Sequence, residues 1–112
     1  MGVAEGLFLL KKCLDAPVAI SLGAPTAAGF LARIGDPAGW PAVVDALGQG
    51  NFLIRIVGAK QLSYFVPFDG PSLDVFAQFE RALADEEEDV VAVARIQLGQ
   101  LEDPRAAALL TR

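Results

Sequence analysis

The chain predicts one α+β domain, a ferredoxin-like βαββαβ sandwich: a four-stranded antiparallel sheet with an additional helix at each end. Two observations predict it. Runs of β-branched and aromatic residues at 18–22, 52–57, 62–68 and 90–98 read as strands. Between and around them, apolar residues recur at helical spacing. The length of 112 residues is that of a single domain, 1–112, with enough chain to bury a core without disulfides or metal.

Val3, Leu7, Leu10 and Leu14 recur at helical spacing, with Glu5 in the first turn and Lys11 and Lys12 in the last, so residues 3–14 are expected to be helical. Pro17 breaks this helix, and Val18, Ile20 and Leu22 alternate through a short strand ending at Gly23. Residues 26–34 carry two signals. Ala27, Phe30, Leu31 and Ile34 fit a helix capped by Thr26 and stopped by Gly35, whereas Phe30, Ala32 and Ile34 alternate as in a strand; the cap residues favour the helix. A further helix opens at Asp36-Pro37 or at Trp40-Pro41, carries Val43, Val44 and Leu47, and ends at Gly48 and Gly50.

Phe52 to Val57 and Leu62 to Phe68 read as a hairpin turning at Gly58-Ala59-Lys60. Pro67 sits awkwardly there, because an interior strand tolerates a missing N–H only near its end. Asp69-Gly70-Pro71-Ser72 is a turn before a helix over 73–84, with Leu73, Phe76, Phe79 and Leu83 on its apolar stripe. Val90 to Leu98 is the fourth expected strand, and Asp103-Pro104 opens a terminal helix over 104–112.

Apolar residues make up 54% of the chain and charged ones 21%, so there is ample material to offset the entropy of ordering. The longest uncharged stretch, Ala16 to Ala32, is broken by Pro17, Gly23, Pro25 and Gly29 and falls short of the ~20 apolar residues of a spanning helix. The N-terminal charge order, Glu5 before the apolar residues and Lys11-Lys12 after them, is the reverse of a signal peptide. A soluble cytoplasmic protein is expected. The net charge of −5, with no basic stripe, argues against nucleic acid and membranes as partners. The single cysteine, Cys13, excludes an intramolecular disulfide.

Histidine is absent, which removes the commonest general base and metal ligand. No catalytic, cofactor or metal motif stands out. Cys13 lies within a turn of Leu10 and Leu14 and reads as a small buried hydrophobe. The run Asp85-Glu86-Glu87-Glu88-Asp89 lacks the spaced ligands of a calcium loop, and it reads as charge protecting the apolar strand that follows. Gly48-Gln49-Gly50-Asn51 precedes a strand where a phosphate loop would follow one, so it is a helix stop. Trp40 reads as a staple holding its helix to the core.

In the sheet, one phasing turns Phe52, Ile54, Ile56 and Tyr64 toward the helices. Arg55 and Arg95 then lie on the opposite face beside Ser21 and Ser63, a possible anion site for a carboxylate or phosphate. The same face carries Leu53, Val57, Phe65, Val91 and Val93. An exposed apolar face of that kind needs a cover, from the terminal helices or from a second copy. The leading expectation is a non-enzymatic interaction or regulatory protein, a homodimer using those five residues. The alternative is an anionic-ligand-binding domain or modest enzyme using Arg55 and Arg95, with no cofactor.

Overall fold

In the computed structural model, which describes residues 23–111, every regular element is a helix. In chain order these are α1 (Gly23–Arg33), a 3-10 turn (Pro37–Gly39), α2 (Trp40–Leu47) and α3 (Phe52–Gln61). A 3-10 segment (Leu62–Phe68), α4 (Val75–Leu83), α5 (Glu88–Gln100) and α6 (Pro104–Leu110) complete them. The expected helix over 3–14 and strand over 18–22 lie outside the described residues.

Side chains that accept orphan backbone N–H groups start four of these eight segments. Asp36 Oδ1 accepts from Ala38 N at 2.9 Å, Asn51 Oδ1 from Leu53 N at 2.9 Å, and Asp103 Oδ1 from Arg105 N at 2.8 Å. Asp69 Oδ1 accepts from Val75 N at 3.0 Å, which ties the 69–72 turn to the start of α4; the turn is closed by an isolated bridge between Gly70 and Leu73.

Gly35 ends α1 with φ +97°, its N–H donating to Ala32 O at 3.0 Å while Asp36 N donates to Leu31 O at 2.8 Å. This pair of bonds is the Schellman closure, and it requires a left-handed residue. An added Cβ on Gly35 would meet nothing within 4 Å, so the penalty for a side chain is one of backbone conformation alone. Gly35→Ala is expected to destabilise the fold by about 1 kcal/mol, read by urea titration. An unchanged midpoint would mean that α1 does not depend on this stop.

Val43 and Leu47 of α2, Leu62 and Phe65 of the second 3-10 segment, Val75 and Phe79 of α4, and Val90 and Leu98 of α5 form one core, joined by Ala106 and Leu109 of α6. Trp40 packs on Phe65 with ring centroids 5.0 Å apart, the staple expected of it.

The α+β prediction is overturned: no strand forms among the described residues, and there is no ferredoxin-like sheet. The helices expected near 26–34, 36–47, 73–84 and 104–112 are present, although Thr26 lies inside α1 and does not cap it. The three expected strands fail for separate reasons. Phe52 to Val57 is apolar on both alternating sets apart from Arg55, so alternation carried no information there; Asn51 caps the segment as a helix. Gly58-Ala59-Lys60 is helix interior and not a hairpin turn. Gly58 is needed for close packing, since a Cβ there would lie 3.0 Å from Ala46 Cβ and 3.4 Å from the backbone of α2.

Residues 62–68 wind as a 3-10 helix, burying Leu62 and Phe65 three residues apart, and Pro67 falls near its end. In α5 the buried residues are Val90, Ala94, Gln97 and Leu98, an i, i+4, i+7, i+8 pattern that outweighs the strand propensity of Val90, Val91, Val93 and Ile96.

Candidate functional site

Arg55, expected on the second sheet face beside Arg95, is buried where α3 meets the loop between α4 and α5. Its Nε donates to Asp85 Oδ2 at 2.9 Å and its Nη2 to Asp85 Oδ1 at 3.2 Å, a two-pronged ion pair with both side chains 11% exposed. Nη1 donates to the carbonyls of Gln49 at 2.8 Å and Gly50 at 3.0 Å. Four of the five guanidinium N–H groups are therefore engaged inside the protein. Burial pushes the Asp85 carboxyl up, but hydrogen bonds from Arg55 and from Glu87 N outweigh it and hold the pKa below its ordinary value. The hydrogen bonds that Arg55 donates to Asp85 in turn raise its own pKa.

Arg95 is elsewhere. It is exposed on α5 and lines an open pocket of about 240 Å³ with Glu80, Leu83, Ala84, Leu109 and Leu110. Arg55 is not in this pocket, whose lining includes the acid Glu80 beside the single cation Arg95. The two arginines do not form a joint anion site.

The acidic run does not protect a strand. Asp85 holds Arg55, and Glu88 and Asp89 stand in the first turn of α5, where the helix dipole favours negative charge. Arg105 bonds to Asp69 and Asp103 and lies 4.2 Å over the Phe76 ring, tying α6 to α4. Among the described residues no group of three His, Cys, Asp or Glu side chains is placed to hold a metal ion, and no helix is long and apolar enough to cross a membrane. Cys13 and Ser21 lie outside the described residues.

The five expected interface residues part company. Phe65 is fully buried in the core, and Leu53 is 52% exposed on α3. Val57, Val91 and Val93 are half-buried, and Val91 lies about 160° around the α5 axis from Val93, one turn from Arg95 on the pocket side. Leu53, Val57 and Val93 remain on a common face, as the helix geometry shows.

Arg55 and Asp85 join the start of α3 to the residues before α5, while Gln97 Nε2 donates to Lys60 O and Ser63 N donates to Gln97 Oε1 at 3.0 Å. The two helices thus run side by side in the same direction. With 100° per residue, Leu53, Val57 and Lys60 form the outward stripe of α3, and Asp89, Val93 and Ile96 form the adjoining stripe of α5. On the other flank of α3, Gly29 of α1 abuts Gln61, and the Arg33 guanidinium stands 5.2 Å from the Tyr64 ring centroid. That places Phe30 and Ile34 on the outward side of α1.

Five of the six large apolar side chains exposed among the described residues therefore share one face: Phe30, Ile34, Leu53, Tyr64 and Ile96. Tyr64 was expected to face inward and is 38% exposed. The α6 helix, an expected cover, packs away from this face against α4 and α5. In the sequence Phe30 and Ile34 read as a helix's apolar positions, Lys60 as part of a hairpin turn and Asp89 as part of a strand-protecting run. None of these, nor Ile96, was placed at an interface, although the 53/57/60 and 89/93/96 spacings were there to read as helical.

Compared with protein-family models, with curated proteins and with solved structures, the chain matches none.

Proposed function

We propose that the protein is a non-enzymatic interaction domain that acts as a homodimer in the cytoplasm, the reducing compartment that a single cysteine fits. The observation that carries this reading is the exposed apolar face of α1, α3 and α5, with Ile96 62%, Leu53 52% and Phe30 50% exposed. Covering side chains exposed to this extent gains about 1 kcal/mol each, and contiguous apolar patches mark contact surfaces. The anion-binding alternative needed Arg55 and Arg95 together, and Arg55 is committed to Asp85.

Sizing with light scattering across a micromolar dilution series is expected to give a dimer. Leu53→Glu with Ile96→Glu, both exposed enough to fold, is expected to give a monomer with an unchanged melting temperature. A wild type that is monomeric throughout the series would sink the proposal.

A further inference from the structure

The exposed face is polar in one direction, and this determines how a second copy fits it. At the end nearest Leu53 stand Glu86, in the loop before α5, and Asp89, in its first turn; both are exposed. At the other end stand Lys60, in the last turn of α3, and Arg33, at the end of α1 over Tyr64. Among the described residues Lys60 and Arg33 are not within ion-pair distance of a carboxylate, nor Asp89 of a cation, while Glu86 lies in the field of Arg55 without a direct ion pair. The ends are separated along the helix direction because α3 and α5 run parallel, with Arg55–Asp85 at one end and Lys60–Gln97 toward the other.

We infer that two copies pack this face against itself, antiparallel, about a two-fold axis crossing α3 near Val57, so that Lys60 of each copy meets Asp89 of the other. A surface with apolar residues at its centre, acid at one end and base at the other is complementary to itself when turned by half a turn. The parallel arrangement would set like charges together and is disfavoured. Each charged contact occurs twice in such a dimer, so single substitutions are felt twice. The inference rests on the homodimer reading and adds the face, the axis and the charge pairing.

The test is a charge swap on the full chain, read as the dimer dissociation constant by sizing with light scattering or analytical ultracentrifugation. Lys60→Glu and Asp89→Lys are each expected to weaken the dimer about tenfold. Combined in one chain they restore it, because the pair is re-formed with its signs exchanged. Raised salt is expected to weaken the wild-type dimer and the double variant alike. Melting curves of each variant show that the monomer is intact, since both residues are exposed. A dimer whose affinity ignores both single substitutions overturns the two-fold arrangement while leaving the homodimer. A double variant no tighter than the singles also overturns it. A wild type monomeric at every concentration overturns the arrangement together with the homodimer, assigning the face to residues 1–22 or to a different protein.

Discussion

Phe65→Ala is expected to lower the unfolding free energy by about 3–5 kcal/mol, a large share of the ~5–15 kcal/mol that holds a domain of this size. Phe65 is fully buried, and its ring lies 5.0 Å from that of Trp40 at 53°. It projects from a 3-10 segment whose other buried side chain, Leu62, is held one turn away. The cavity left by its removal cannot close easily, because Trp40 comes from α2 while Val75 and Phe79 come from α4. Urea titration followed by Trp40 fluorescence measures the loss. Phe65→Leu keeps most of the volume and is expected to cost less than half as much. An interface role would predict something else: weaker assembly of an equally stable monomer. A loss below about 1 kcal/mol would contradict the core assignment.

The second large effect belongs to the buried ion pair. Either Arg55→Ala or Asp85→Asn leaves its partner without compensation among residues that exclude water, and each is expected to lower Tm by more than about 10 °C. Arg55→Lys is expected to rescue little, because an ammonium cannot span both Asp85 oxygens and also reach the Gln49 and Gly50 carbonyls.

The pH dependence follows from the direction of the Asp85 shift. Burial raises the carboxyl pKa, and the bonds from Arg55 and Glu87 N lower it further than burial raises it, so the folded value lies below the unfolded one. The pair therefore contributes its full stability above the unfolded carboxylate pKa, about 4, and loses it as pH falls through the lower folded value. The Tm gap between wild type and Asp85→Asn is expected to be complete at about pH 6 and to narrow below about pH 4. A gap that does not change with pH would mean that the carboxylate charge is not what holds Arg55.

How much of this was legible along the chain depends on where the signal resides. Gly35, Asp36, Pro37, Gly48 and Asp103-Pro104 act through their own backbone or that of the next few residues, and the helix boundaries they mark lie close to those expected. The segments 52–57 and 90–98 were misread because nearly every residue in them is apolar or β-branched. Both a strand and a helix bury such a run, and local propensity then points the wrong way. Arg55 is the one polar residue in its run, and strand phasing sets it beside Arg95 on the second sheet face. The carboxylate that makes it a buried residue lies 30 residues away in the chain. Of the candidate interface, Leu53, Val57 and Val93 kept a common face because an apolar stripe can be phased as strand or helix at some of the same positions. Phe65 and Val91 did not.

By itself the sequence located the helices near 26–34, 36–47, 73–84 and 104–112, the turns at Gly35 and 69–72, and Trp40 in the core. Those properties follow from interactions within a few residues. Tertiary structure alone decided that 52–61 and 88–100 are helices, that Arg55 belongs to Asp85, and that Phe30, Ile34, Leu53, Tyr64 and Ile96 meet on one surface. The physical reason is that a helix in a small domain is stabilised mainly by what its buried face packs against, and those partners come from distant parts of the chain.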